Sequence, residues 1–128
     1  MSGHGSFYWN ELATNDIEAA GAFYSALIGW KTQAMPMGDG RTYTLWLVGG
    51  QPVGGMFPAK GEPFEGERPT WLSYIAVDDI DATVAKVEGL GGKVLAPAEK
   101  IPDVGRIAVI ADPQGAAVAL IKPTQGEG

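Results

Sequence analysis

The stretch LATNDIEA at residues 12–19 recurs as IAVDDIDA at residues 75–82, an offset of 63 residues. The same offset aligns Ala22 with Ala85, Leu27 with Leu90 and Gly29 with Gly92, and no gap is needed. One constant offset through several consecutive elements indicates an internal structural repeat. We therefore predict two modules, residues 5–59 and 68–122, with a polar linker at 60–69 and a tail at 123–128.

Each module carries the same order of signals: one strand, one helix and three further strands. The first strands, at 7–13 and 71–77, are aromatic and aliphatic stretches. Asn15 with Glu18 resembles a capping box that starts a helix, and Asp78 with Asp81 repeats it more weakly. Apolar residues at helical spacing follow, namely Ile17, Ala20, Tyr24 and Leu27 in one module and Ile80, Val84, Val87 and Leu90 in the other. The later strands are predicted at 31–35, 42–48 and 52–57, and at 93–98, 106–111 and 117–121.

A four-stranded sheet with one helix leaves its second face apolar and open, so two such modules can turn their open faces toward each other. The predicted fold class is α+β, with two tandem βαβββ modules forming a curved mixed sheet with a central cleft. Residues 1–128 are expected to form a single domain. A cleft of this kind is a usual place for a small-molecule site.

Composition and charge exclude several classes of function. The net charge of −6 argues against binding to nucleic acid or to an anionic membrane surface, because either one is bound through clusters of Lys and Arg side chains. No apolar run approaches the roughly 20 residues of a membrane helix, and residues 1–6 lack a signal-peptide pattern, so a cytoplasmic location is expected. The absence of cysteine excludes disulfides, thiolate metal sites and cysteine nucleophiles.

The tandem modules, the tract NDIEAAGAFY at 15–24 and the turn DPQG at 112–115 together resemble the vicinal oxygen chelate superfamily. That superfamily includes glyoxalase I, extradiol dioxygenases, fosfomycin-resistance enzymes and bleomycin-resistance proteins. Its metal-dependent members hold a divalent cation with His, Gln or Glu at equivalent points on the first and last strands of each module. The resemblance places those points at Trp9, Met56, Leu72 and Ala119.

None of these side chains suits a hard or borderline divalent ion. The only histidine, His4, lies in a Gly/Ser-rich segment that we expect to be a mobile tail. We therefore expect no metal and no cofactor. A divalent metal would require unconventional ligands, for example Glu11 with other acids.

Strand alternation predicts which side chains face the cleft. Trp9 and Glu11 share one face of the first strand, and Leu72 and Tyr74 share the equivalent face of the fifth. With Met56 and Ala119 they are predicted to form an apolar ligand-binding wall on which Glu11 is the single charge.

Two interpretations of Glu11 stay open. In the functional one, Glu11 binds a cationic or hydroxyl group of a ligand, or acts as a general base with Tyr74 as its acid/base partner. In the structural one, it hydrogen-bonds Tyr74 or a linker backbone, or pairs with Arg68 or Arg106.

The leading hypothesis is a metal-free small-molecule binding protein, similar in kind to bleomycin-resistance proteins, with a cationic or amphipathic ligand. The rival is an enzyme that uses Glu11. It would be a lyase, isomerase or hydrolase without a cofactor, or a metal-dependent glyoxalase- or dioxygenase-like enzyme with displaced ligands. A third alternative is a module whose cleft is filled by another chain, and a homodimer stays open as well.

Overall fold

A computed structural model describes residues 3–36, 42–58, 69–101 and 104–124. The first module contains β1 (Phe7–Thr14), α1 (Ile17–Ile28), β2 (Lys31–Pro36), β3 (Thr42–Val48) and β4 (Gln51–Pro58). The second contains β5 (Thr70–Ala76), α2 (Ile80–Ala85), a 3-10 turn (Glu88–Leu90), β6 (Lys93–Ile101), β7 (Gly105–Ala111) and β8 (Ala117–Pro123). This order confirms the α+β class and the two tandem βαβββ modules. The linker predicted at 60–69 lies outside the described residues except for Pro69, and the tail at 123–128 is described only to Thr124.

The chain divides into two compact units, which we call the first unit (Trp9–Trp71) and the second unit (residues 1–8 with 72–128). In the first unit the strand order is β2-β3-β4-β1, with β1 parallel to β4 and the other pairs antiparallel. In the second unit the order is β5-β8-β7-β6, with β5 parallel to β8 and the other pairs antiparallel. Each unit is therefore built on a four-stranded mixed sheet.

One face of each sheet packs on its helix. In the first unit the buried residues Leu12, Trp46 and Met56 form a cluster, and Ile17, Ala20, Tyr24 and Trp30 pack against it. In the second unit the cluster contains Val77, Ile80, Ala108 and Leu120. Leu12, Ile75 and Val77 therefore lie on the helix-facing side of their strands, opposite the face predicted for Glu11 and Tyr74.

Both helices start one residue later than the capping prediction. The caps are Asp16 and Asp79, whose carboxylates accept hydrogen bonds from the backbone N–H of Ala19 and Ala82, each at 3.0 Å. A side-chain oxygen at the cap satisfies an N–H that the first helical turn leaves without a partner. The predicted caps Asn15 and Asp78 are therefore wrong by one position.

The ends of the helical segments also differ from the predicted pattern. Leu27 is 61% exposed and Leu90 is 74% exposed, so neither belongs to a core face. The second helix ends at Ala85 and is followed by the 3-10 turn, which ends at Gly91 in the left-handed conformation that glycine tolerates. Among the described residues, no helix has the length and apolar character needed to span a membrane.

The N-terminal segment is fixed within the second unit, so the expectation of a mobile tail at His4 is wrong. The backbone N–H of Gly5 donates to the carbonyl of Ala76 at 2.7 Å, and the N–H of Ala76 donates to the carbonyl of Ser6 at 2.9 Å. His4 Nδ1 accepts a hydrogen bond from the backbone N–H of Asp78 at 3.0 Å. The single histidine therefore serves to anchor this segment to the end of β5.

Candidate functional site

Glu11 lies near the middle of β1 and is only 5% exposed. It is paired in register with Gly55 of β4, while its neighbour Leu12 is paired with Met56. Because side chains alternate along a strand, Glu11 points to the face opposite Leu12 and α1. The sequence prediction for the face of Glu11 is consistent with this register, and the carboxylate is buried on the face of the sheet that does not pack on α1.

A chain of hydrogen bonds joins Glu11 to two aromatic residues of the first unit. The Trp9 indole Nε1–H donates to the hydroxyl oxygen of Tyr43 at 3.0 Å, and the Tyr43 hydroxyl is hydrogen-bonded to the Glu11 carboxylate. Burial, and next the negative charge of Glu11, raise the pKa of Tyr43 well above its usual 10.0, although the Trp9 hydrogen bond acts the other way. The phenol therefore keeps its proton at neutral pH and donates a hydrogen bond to the Glu11 carboxylate.

Gly55 makes room for this arrangement. A Cβ added at position 55 would overlap the ring and hydroxyl of Tyr43, so the phenol occupies the space of the missing side chain. Sequence reasoning missed Tyr43 because β3 is apolar on both faces and its orientation could not be assigned. The glycine pair in β4 was the available signal, since glycine inside a strand often marks a close approach.

Three other predicted site residues lie in the second unit. Tyr74 of β5 is paired in register with Ala119 of β8, and Leu72 lies two residues before Tyr74 on the same face. All three are buried. Their common face is the one opposite Ile75 and Leu120, which pack on the α2 side. Their role as ligand contacts stays a prediction.

Met56 lies on the other face from the one predicted. It is buried with Leu12 and Trp46 on the α1 side of the first unit. Glu11 and Tyr74 are equivalent in the repeat, with an offset of 63 residues. Their cross-strand partners are Gly55 and Ala119, which differ by 64 residues. The last strands of the two modules therefore align one residue out of step with the first strands. A shift of one residue moves a strand side chain to the opposite face. The ungapped repeat is therefore wrong for the last strand.

The side chains at the family's metal positions do not fit a divalent cation. Gly55, Leu72 and Ala119 carry no ligand atom. The indole of Trp9 can only donate a hydrogen bond and already does so to Tyr43. Within the described ranges, no group of three or more His, Asp or Glu side chains is placed to hold a metal ion.

The structure adds a hydrogen-bond partner to the structural interpretation of Glu11. The guanidinium of Arg106 pairs with Asp81 in the second unit, and Arg68 lies outside the described residues. One partner of Glu11 is the hydroxyl of Tyr43, which the sequence did not indicate.

Two cavities lie on the α1 side of the first unit. One, of about 330 Å³, lies between α1 and the outer strands and is lined by Ile17, Glu18, Gly21, Ala22, Thr32, Ala34, Thr44 and Met56. The other, of about 310 Å³, is lined by Asn10, Trp30, Trp46, Val53, Gly54 and Trp71. Both are on the face opposite Glu11, as the alternation of Asn10 and Glu11 in β1 requires.

Comparison with known sequences assigns the family. Residues 7–120 match the Glyoxalase/Bleomycin resistance protein/Dioxygenase superfamily. The chain belongs to this superfamily, which confirms the resemblance drawn from the repeat and the DPQG turn.

Two relatives show how the chain compares in length. It is 42% identical over 119 residues to CFP32 of Mycobacterium tuberculosis, a protein provisionally named as a glyoxylase, covering 93% of this chain and 44% of the relative. It is 30% identical over 131 residues to the anthracycline biosynthesis protein DnrV of Streptomyces peucetius, covering 94% and 48%. The chain thus spans about half the length of the curated relatives it matches.

Solved structures share the fold. Methylmalonyl-CoA epimerase from Mycobacterium tuberculosis superimposes with a TM-score of 0.63 at 18% identity, covering 95% of this chain and 89% of that one. The Mn(II)-bound glyoxalase from Novosphingobium aromaticivorans gives a TM-score of 0.59 at 19% identity, covering 95% and 40%. At these identities the likeness concerns the fold alone.

Proposed function

We propose that this chain is a metal-free small-molecule binding protein whose site includes the Trp9–Tyr43–Glu11 hydrogen-bonded chain. The observation that carries the proposal is the burial of the Glu11 carboxylate beside a phenol that keeps its proton. Removing a carboxylate from water is unfavourable, and buried acids with specific polar partners concentrate at functional sites. The family's metal positions carry Trp9, Gly55, Leu72 and Ala119, which are unsuitable ligands for a divalent cation. Their chemistry supports ligand binding without a metal.

The chemistry of the site favours an amphipathic ligand with a cationic or hydroxyl donor. A carboxylate accepts hydrogen bonds from such donors, and charge-assisted bonds are the stronger ones. The aromatic rings of Trp9 and Tyr43 suit an apolar body or the face of a cation. The net charge of −6 attracts cations rather than anions.

The relative DnrV is named as an anthracycline biosynthesis protein, which suggests an anthracycline as the first compound to test. Anthracyclines with an amino sugar combine a flat polycyclic body with one ammonium group, which matches the ligand class derived for the Glu11 site. Daunorubicin is therefore the probe, and its N-acetyl derivative, which keeps the rings and loses the charge, is the matched control.

The test is a thermal-shift titration of the chain with both compounds. A ligand present at 100 times its Kd stabilises a protein by about 2.7 kcal/mol, which is readily measured as a rise in Tm. We expect a saturable rise with daunorubicin and a smaller one at equal concentration of the N-acetyl compound. Equal shifts, or none with either compound, would count against a cation-binding site at Glu11.

An acid/base enzyme is the second candidate, and one specific observation favours it. The Tyr43 hydroxyl keeps its proton and donates a hydrogen bond to Glu11, which positions the carboxylate to act as a general base toward a bound compound. Incubation of each bound compound with the chain, followed by NMR, detects turnover. A new product that disappears in the Glu11→Gln variant would favour the enzyme, and unchanged compound favours binding alone.

We further propose that two copies associate through the C-terminal half of α1. Phe23, Leu27 and Ile28 are apolar and exposed there. Matched relatives of about twice this length have room for a second such domain in the same chain. Sedimentation of the chain should show a dimer that Leu27→Glu converts to a monomer, and a monomeric wild-type chain at high concentration would overturn this assignment.

A further inference from the structure

Three cationic side chains form a row across the sheet of the second unit. Lys100 of β6 is paired in register with Arg106 of β7, and Arg106 is paired with Lys122 of β8. Residues directly opposite each other in antiparallel strands project from the same face of a sheet, and neighbouring strands lie about 4.8 Å apart. The three residues, which we call the cationic row, therefore lie side by side within roughly 10 Å.

The face that carries the cationic row is the one that packs on α2. Ala98, Ala108 and Leu120 precede the three cations by two residues on the same strands or follow them by two, and all three pack in the α2 cluster. Because side chains two residues apart on a strand share a face, the cationic row continues this face toward the ends of the strands. The contact of the Arg106 guanidinium with Asp81 of α2 agrees with this orientation.

The cationic row concentrates positive charge on an acidic chain. Like charges directly opposite each other destabilise a sheet. The chain has 15 Asp and Glu against 9 Lys and Arg, yet three of its bases occupy these matched positions. Asp81 pairs with Arg106, whereas Lys100 and Lys122 have no ion-pair partner among the described residues. The row therefore keeps an excess of positive charge that an anion can offset.

The cationic row can be reached from solvent. The Arg106 side chain is 38% exposed, Lys100 is exposed and Lys122 is partly exposed. Asp81 accepts a hydrogen bond from Nη1 of Arg106, but a guanidinium carries five N–H donors. The other donors of Arg106 and the two flanking ammonium groups can therefore bind an anion without any movement of the core.

The spacing and number of the charges favour a diphosphate group. Lys and Arg bind phosphate oxygens through charge-assisted hydrogen bonds, and the planar guanidinium matches two oxygens at once. A diphosphate carries several negative charges on two adjacent phosphorus atoms, so one group can contact all three cations. The net charge of −6 repels anions at long range. An anion that gains from only one cation is therefore bound poorly.

We propose that the cationic row binds the diphosphate group of a small molecule. Lys100 and Lys122 hold the group from either side, while Asp81 keeps the guanidinium between them aligned. The site is independent of the function proposed above, because the Trp9–Tyr43–Glu11 chain belongs to the first unit.

The test uses inorganic pyrophosphate, with orthophosphate and sulfate at equal ionic strength as comparison anions. Each anion is titrated into 15N-labelled protein, and the Nε–H signal of Arg106 is followed by NMR. That signal is assigned by its loss in Arg106→Lys. We expect a saturable shift with pyrophosphate and an affinity at least about 3-fold weaker for the two single-centre anions, which reach fewer of the cations.

Lys100→Gln and Lys122→Gln should each weaken pyrophosphate binding by roughly 3- to 10-fold, as expected for the loss of one charge-assisted contact. Lys93→Gln is the matched control. It makes the same change of charge on β6, but it lies opposite Ala111 at the other end of the strand. Its affinity should stay within about 2-fold of the wild-type chain, because salt screens distant charges.

Three results would each overturn the proposal: no saturable shift of the Arg106 signal, equal affinity for the three anions, or equal affinity of the three lysine variants. Poly-L-glutamate is tested in parallel. A shift of the Arg106 signal with poly-L-glutamate but not with pyrophosphate would also overturn the proposal, and would indicate an acidic protein partner instead.

Discussion

The ring of Tyr43 lies on the backbone of Gly55, in the space where any other residue would place its Cβ. Gly55 is in turn the cross-strand neighbour of Glu11. The phenol can therefore reach the buried carboxylate only because position 55 has no side chain.

Gly55→Ala should displace the Tyr43 ring and destabilise the chain by about 1–3 kcal/mol, the usual range for overpacking a filled site. Urea unfolding measures the change. The control is Gly89→Ala, because a Cβ there meets nothing within 4 Å; this change should leave stability unchanged or raise it by up to about 1 kcal/mol, since alanine favours helical backbone. The penalty should persist in a Tyr43→Phe background, which keeps the ring, and shrink in a Tyr43→Ala background. An equal loss of stability from Gly55→Ala in the wild-type, Tyr43→Phe and Tyr43→Ala backgrounds would contradict the contact between Gly55 and the Tyr43 ring.

Tyr43→Phe should cost about 1–3 kcal/mol of unfolding free energy, because it leaves the Trp9 indole N–H without its acceptor. Tyr8→Phe is the matched control, since Tyr8 is exposed on β1. Equal stability of the two variants would show that the Tyr43 hydroxyl contributes nothing beyond its ring.

The raised pKa of Tyr43 predicts a loss of stability in alkali. The folded state holds the phenolic proton more tightly than the unfolded chain, whose tyrosine titrates near 10.0. The stabilisation is complete below that pH and is lost as the pH rises above it. Urea unfolding from about pH 9 to about pH 11 should show a steeper decline for the wild-type chain than for Tyr43→Phe. Parallel curves would mean that Tyr43 is not perturbed.

Asp16→Ala should destabilise the chain by about 1 kcal/mol, because the carboxylate satisfies the backbone N–H of Ala19 at the start of α1. Asn15→Ala, one residue earlier, should cost less than about 0.5 kcal/mol, as expected for an exposed site outside the cap. Thermal unfolding compares them directly. A larger loss for Asn15→Ala would restore the capping box predicted from the sequence.

Local pattern was enough to locate the elements. The predicted strand at 42–48 coincides with β3, and the other strands differ from prediction by a few residues at their ends. Apolar runs, turn residues and the repeat are all visible within short windows of sequence. The family could also be inferred from such local patterns, because the repeat and the DPQG turn are both recognisable in the sequence.

The site depended on register, which short windows do not contain. Glu11 was found because β1 alternates clearly. Met56 was placed on the wrong face because the two modules differ by one residue between their first and last strands. Tyr43 was missed because its orientation depends on how β3 pairs with β4, where the register shifts between Trp46 and Leu47. A single-residue shift changes the face and hence the site.

Isothermal titration of daunorubicin into the wild-type chain and the Glu11→Gln variant tests the central claim most directly. Glu88→Gln, which removes an exposed acid on the 3-10 turn, is the control for net charge. Loss of one charge-assisted hydrogen bond predicts an affinity at least about 10-fold weaker in Glu11→Gln, with Glu88→Gln unchanged. Equal Kd values for the wild-type chain and Glu11→Gln would contradict a binding site at Glu11.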